Sequence, residues 1–420
     1  MAARHLTLIE RLSYGFGDMG TSLAYNMASA FLLFYYTDVV HLPAAAVGTV
    51  FLVARLLDAV IDMIVGIAVD KTRTRFGRTR PYFLFTAIPY ALVTVLLFNV
   101  PAWGQNAQLV YAFVTFKALG ILLSLQSIPY TALMPMMTED TGERLKLSGM
   151  RSVGTSVSVV LGTAATMPLV GLFGGSDQQR GFMAVAVLFA GIGLVCTAAL
   201  FRNCRERIED GANPQFAVLP AVSEMLRNRA WLVCFGFCLT YFVRFGVMLP
   251  AVSGMLLLPS FVAPPLFARA GIRSGCVGVL SLAAVLFAVL PLAEDSLPLF
   301  ILIYLAACLA TSVTIVAAFT MIAETVDYNE RKYGVRHEGL LSSGISLATK
   351  VGMALGTAGF AYTLGASGYV AGGVTETARE AIRWVYYGSA VVLLTLQVFA
   401  VLFWPVDSRQ AQTGRDNAER

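Results

Sequence analysis

Charge is what this chain has least of. Asp, Glu, Lys and Arg make up 13% of its 420 residues, about half the share of a soluble protein. With 57% hydrophobic residues and a mean hydropathy of +0.71, a soluble domain is excluded. Cysteine is sparse too. The six (Cys196, Cys204, Cys234, Cys238, Cys276 and Cys308) lack metal-ligand spacing, and no His accompanies Cys234 and Cys238 on their shared helix face. They read as small apolar residues rather than a metal centre. No cleavable signal peptide is evident: MAARHLTLIERLS reads as an amphipathic cytosolic lead-in. What is present is apolar runs of span length, recurring along the whole sequence. They point to an all-α polytopic membrane protein rather than a barrel.

Twelve spans are predicted near 14–36, 44–69, 82–101, 107–135, 149–174, 181–201, 230–249, 252–268, 275–292, 297–322, 340–366 and 383–404. Of the thirty Lys and Arg, twenty-two fall in the segments that share a side with the termini. Both termini are therefore expected in the cytoplasm. The net charge of +5 reflects this topology and calls for no nucleic-acid partner. The polar stretch 202–229 divides the chain into two bundles of six spans, 1–201 and 230–404, followed by a cytoplasmic tail over 405–420. The halves echo each other: MPMMTEDTGERLKL after the fourth span resembles MIAETVDYNERKYG after the tenth, and VLGTA at 160–164 is matched by ALGTA at 354–358. Parallel six-span repeats suit the major facilitator fold. Only thirty-nine residues separate Arg229 from Arg269, so helices 7 and 8 are expected to be unusually short, turning near Pro250 to Gly254.

The stretch from Val47 to Pro81 carries the densest chemistry. Arg55, Asp58 and Asp62 share one face of an apolar helix. A charge in hydrocarbon costs about 2.5–3.5 kcal/mol on insertion scales, so this face should meet protein or water. One reading is a structural ion pair between Arg55 and one Asp. The other is a cation site, because two acids one turn apart repel unless a proton or a metal cation sits between them. Five further span charges are Asp18, Lys117, Arg151, Arg244 and Lys350. Lys117 and Arg244 are expected to snorkel or pair locally. Lys350 lies among small residues that let helices approach closely, which places it toward the bundle interior.

Eight segments carry a family resemblance: YGFGD (14–18), FYYTDVVHL (34–42), VGTVFLVARLLDAVID (47–62), GIAVDKTRTRFGRTRP (66–81), IPYTALMP (128–135), TEDTGERLKLSGMR (138–151), AETVDYNERKYGVRHEG (323–339) and SLATKVG (346–352). Together they make the sequence similar to the glycoside–pentoside–hexuronide:cation symporters, the melibiose-permease-type family of the major facilitator superfamily. The resemblance implies a cation site at Asp58 and Asp62, assisted by the hydroxyl of Ser124. An Asn of the family is Ile61 here and a Pro is Met63. That removes an oxygen ligand for Na⁺ and favours H⁺. The family's two sugar-binding acids fall at Ser22 and Ser127, and its tryptophan at Thr131, whereas Arg151 and Lys350 keep its cations. The implied substrate is a sugar, a glycoside or an acidic sugar such as a hexuronide.

The implied mechanism is import across a bacterial cytoplasmic (inner) membrane by alternating access, with each ligand favouring the other through reciprocal coupling. A cytoplasmic gate is expected from Asp70, Arg78, Glu143, Arg144 and Asp327. The implied partners are the solute, the coupling cation (H⁺ or Na⁺) and the lipid bilayer, with a monomeric chain, no cofactor and no enzymatic step. A membrane prenyltransferase is a rival of another class, since Asp58, Asp62 and Asp70 superficially resemble its Mg²⁺–diphosphate acids. It needs a second acid cluster, which Glu206, Glu209 and Asp210 do not repeat, and twelve spans are too many. Two further rivals are a transporter of lysolipids or small acids on the same scaffold and a non-transporting sensor.

Overall fold

The computed structural model describes residues 6–208, 218–247, 257–367 and 376–406. Among the described residues the chain is a succession of long helices, and twelve of them answer to the expected spans. In the first half these are α1 (Leu8–Phe34), α2 (Ala44–Lys71), α3 (Arg80–Leu97), α4 (Gln105–Met137), α5 (Thr141–Val160, running on through a π turn to Gly174) and α6 (Gln178–Asn203). In the second half they are α7 (Arg229–Val247), α8 (Leu257–Ala270), α9 (Ile272–Val289), α10 (Leu297–Tyr333), α11 (Glu338–Ala366) and α12 (Glu376–Arg383, through a π turn to Leu402). The expected turn at 250–254, most of the 405–420 tail and the side chain of Arg55 lie outside the described residues.

Several helices overrun their expected hydrocarbon spans. Apolar periodicity marks only the part inside the membrane, and a helix stops where its backbone is capped. α1 starts six residues early because Thr7 and Glu10 form a capping box. The Glu10 carboxylate accepts from Thr7 N at 2.8 Å and the Thr7 hydroxyl accepts from Glu10 N at 3.3 Å. α10 runs to Tyr333, where Gly334 takes a left-handed conformation with φ 74°. The 202–229 linker also contains a helix that polarity alone did not suggest, Val218–Arg227. Ala221 and Met225, one turn apart, are its buried stripe.

By internal contacts the chain forms two units, and these do not coincide with the two halves. The first comprises Met1–Glu139, Met150–Phe216 and Glu338–Ser343; the second comprises Asp140–Gly149, Ala217–His337 and Gly344–Arg420. In the first unit, α1 and α5 cross at bare backbone. A Cβ on Gly154 would lie 2.0 Å from the Gly15 carbonyl oxygen, so only glycine admits this approach. An aromatic cluster fills one end of the unit, with Phe98 stacked on Phe182 at 5.7 Å. In the second unit, α7 and α11 run side by side. A Cβ on Gly344 would meet Trp231 at 2.5 Å, and one on Gly352 would lie 2.7 Å from the Leu239 carbonyl oxygen. Large apolar side chains such as Leu172, Phe85, Val195 and Leu292 stay exposed, as expected of helix faces turned to lipid.

Candidate functional site

The two acids of α2 meet α4. Lys117, Gly120 and Ser124 lie on one face of α4, and Gly120 permits the approach: a Cβ there would stand 2.9 Å from Asp58 Oδ1. Lys117 Nζ donates to Asp58 Oδ1 and, at 3.1 Å, to the carbonyl of Ala54. One turn along, the Ser124 hydroxyl donates to Asp62 Oδ1 at 2.5 Å, and Asp62 is fully buried. Asp58, Asp62 and Ser124 are thus brought together as the sequence suggested. The counter-ion of Asp58 comes from another helix, about sixty residues away, which pairing along one helix face could not reveal. Lys117 does pair locally in space, as expected.

A second cluster forms where α1 crosses α5 and α4. The glycine contact at Gly15 and Gly154 sets Asp18 beside Arg151 and Thr155. Arg151 Nε lies 3.2 Å from Asp18 Oδ1, its Nη1 donates to Thr131 Oγ1 at 3.3 Å, and its guanidinium covers the Tyr130 ring at 4.8 Å. Thr155 donates to Asp18 Oδ2 at 2.6 Å. Ser22 donates to the Asp18 carbonyl at 2.7 Å and reaches Oδ2 at 3.1 Å. Tyr14 and Tyr130 stack at 4.7 Å beneath this group, and the Tyr130 hydroxyl donates to the Tyr14 carbonyl at 2.7 Å. The structure therefore gathers Ser22, Thr131 and Arg151. Ser127 lies one turn before Thr131, whose hydroxyl bonds its carbonyl at 3.0 Å. Lys350 is half-buried on α11 in the second unit. Sequence reasoning gave Asp18 no role, and the signal it passed over is an acid one turn before Ser22 in a span. Replacement of the family's acids by Ser22 and Ser127 does not leave this group without an anion, because Asp18 supplies one.

The expected gate residues fall into two clusters, one in each unit. In the first, Asp70 accepts from the backbone N–H groups of Gly339 and Leu340, both at 2.8 Å, at the start of α11. Arg78 bridges Asp70 at 3.3 Å to Glu338 at 3.2 Å. Glu206 fixes the loop that carries Arg78 by accepting from the N–H groups of Arg78 and Thr79 at 2.8 Å each. In the second unit, Arg144 is fully buried and paired with Asp327, which also accepts from Arg336 at 3.2 Å. Glu143 pairs with Lys146 at 2.9 Å on its own helix. Glu206 and Glu338 join this cluster although sequence reasoning gave neither a part in the gate; Glu206 sits at the reversal before α3, whose backbone N–H groups need an acceptor, and Glu338 accepts from the Arg78 guanidinium.

The chain matches the family model described as MFS/sugar transport protein over residues 13–253 and 248–408. It belongs to the glycoside–cation symporters of the major facilitator superfamily. It is 32% identical over 425 residues to the isoprimeverose transporter of Lactiplantibacillus pentosus, covering 95% of this chain and 88% of that protein. It is 31% identical over 400 residues to the inner membrane symporter YicJ of Escherichia coli, covering 88% and 85%. It is 29% identical over 427 residues to the glucuronide carrier protein homolog of Escherichia coli, covering 95% and 93%. The Escherichia coli fucose:proton symporter FucP shares its fold, with a TM-score of 0.64 at 12% identity over 93% of this chain and 98% of that one. The chain is thus an integral membrane transporter of major facilitator fold, not an enzyme.

Proposed function

We propose that this symporter imports a sugar or glycoside across the cytoplasmic membrane with a proton, both termini facing the cytoplasm. The observation that carries the coupling ion is the ion pair between Lys117 and Asp58. A fixed ammonium occupies the place beside Asp58 where a metal cation would draw on that carboxylate. Sodium needs several oxygen ligands, and Ile61 and Met63 supply none from their side chains; a proton needs one carboxylate, Asp62, with Ser124 at its side. The Asp18, Arg151, Thr131 and Ser22 group offers charge-assisted donors and acceptors to sugar hydroxyls. The names of two relatives, an isoprimeverose transporter and a glucuronide carrier protein homolog, support a glycoside as the solute class.

Uptake of a panel of labelled glycosides into vesicles tests this reading. A proton gradient should drive accumulation and the medium should turn alkaline on adding solute. Strong Na⁺ stimulation at fixed pH, without alkalinisation, would overturn the proton assignment. Orientation is tested by cysteines placed at the exposed positions Gln105, Asp295 and Thr74. The first two should react from outside and the third only after permeabilisation. Native thiols interfere little. Among the six, only Cys196 is not buried, and burial aided by Glu10 pushes the Cys204 thiol up to about 12.

A further inference from the structure

The spans of the first half contain three acids (Asp18, Asp58, Asp62) and three cations (Arg55, Lys117, Arg151). Those of the second half contain Arg244, Lys350 and, at the first position of the last span, Arg383, and no Asp or Glu. No acid occurs anywhere between Arg229 and Ala293, and none in 368–375, so the segments outside the described residues there add none. Arg244 lies near the end of α7 and is 2% exposed, with its Nε enclosed and without a hydrogen-bond partner. Among the described residues it has no ion-pair partner, so the expected local pairing is not seen. Its guanidinium stands 5.1 Å from the Tyr241 ring centre, and the other groups that feel its charge are Tyr304 and Cys308 of α10, both neutral side chains. Stacking on a ring offsets only part of what burying a cation costs. The adjoining helix α11 packs on α7 at Gly352, beside Leu239, Phe242 and Val243, and brings no acid to this contact. A buried arginine with no carboxylate partner among the described residues is suited to one brought by a ligand, whose planar group its fork fits bidentately.

We propose that Arg244 binds the carboxylate of an acidic glycoside, making it the residue that sets a preference for anionic over neutral solutes. Arg151 is poorly placed for this role, since Asp18 already holds it. The proposal rests on the reading of the chain as a sugar importer. The test uses the full-length protein in proteoliposomes under a proton gradient, with methyl β-glucuronide, methyl β-glucoside and potassium chloride as probes. Wild type should transport the glucuronide at least about ten-fold better in kcat/KM than the glucoside, without competition from chloride at equal concentration. Arg244→Gln should lower glucuronide transport about ten- to hundred-fold, the range of a hydrogen-bonded charge contact, while glucoside transport stays within about three-fold. Arg244→Lys should fall between. A thermal midpoint for each variant reads its folding, and the wild-type preference and chloride competition need no variant. A glucuronide-to-glucoside ratio unmoved in a folded Arg244→Gln protein overturns the proposal. So does competition by chloride, which would assign the guanidinium to an inorganic anion. Glucoside transport with no preference for the glucuronide overturns this proposal alone, whereas transport of neither overturns the sugar-import reading with it.

Discussion

The two halves of the chain treat charge in the membrane in opposite ways. In the first, Asp18 is paired with Arg151 and Asp58 with Lys117, each across two helices, while Asp62 takes a hydroxyl from Ser124. In the second, Arg244 is as deeply buried and rests on a tyrosine ring, in spans that hold no acid. Internal compensation makes a site that is ready without a ligand and can exchange a proton. Lack of compensation makes a site whose charge waits for the ligand. The difference fits the two proposals made above, with coupling chemistry in the first half and solute charge recognition in the second.

The largest effect should come from removing the exchangeable acid. Asp62→Asn fixes the site in a state that mimics permanent protonation, so accumulation against a gradient should be lost by at least about a hundred-fold while binding or counterflow persists. Sustained accumulation by this variant would show that the α2 acids are structural and would dissolve the contrast between the halves.

Stability sharpens the comparison next. Arg151→Met and Lys117→Met each strand a carboxylate inside the first half, and breaking a buried pair by removing one partner costs about 3–5 kcal/mol. Adding Asp58→Asn to Lys117→Met should restore most of the loss, because the unpaired charge is gone. Arg244→Met strands nothing. It should leave the thermal midpoint in detergent unchanged or raise it, within about 1 kcal/mol of wild type, since an unpaired buried cation is removed. If Arg244→Met destabilised the protein as much as Arg151→Met does, Arg244 would have a structural partner and the two halves would be alike.

The fold was legible because its signals are local. Apolar runs, the Lys/Arg asymmetry and the repeat of the TED and AET segments all lie along the chain, and they placed twelve spans. Asp58, Asp62 and Ser124 were legible because helical spacing put two of them on one face and the family pattern supplied the third. What was not legible is partner choice across helices. Lys117 reaches Asp58 across the α2–α4 contact, where Gly120 lies beside the carboxylate, and whether Asp18 would hold Arg151 depends on the Gly15–Gly154 crossing. Such approaches are set by which helices pack, and periodicity carries no record of that. The amphipathic helix 218–227 was missed because a polar composition with two prolines hid a short stripe of Ala221 and Met225.

The smallest expected effect separates two hydroxyls on Asp18. Thr155 Oγ1 has one proton and two acceptors in reach, Asp18 Oδ2 at 2.6 Å and the Arg151 carbonyl at 3.0 Å, so the proton goes to the carboxylate. For Ser22 the order is reversed: the Asp18 carbonyl is at 2.7 Å and Oδ2 at 3.1 Å, so the proton goes to the backbone of its own helix. A hydrogen bond to a charged group contributes about 1.5–3 kcal/mol, against about 0.5–1.5 kcal/mol for a neutral one. A serine bonding back to the i−4 carbonyl contributes less still. Thr155→Val should therefore lower stability by about 1.5 kcal/mol or more, and Ser22→Ala by about 0.5 kcal/mol or less. The Ser22 hydroxyl, spent only on its own helix, is the one free to turn toward a solute, so Ser22→Ala should raise KM about two- to five-fold with little change in thermal midpoint. A loss of stability from Ser22→Ala equal to that from Thr155→Val would place its proton on the carboxylate instead. Compensation in the first half would then be complete without the solute, and the difference between the halves would be wider still.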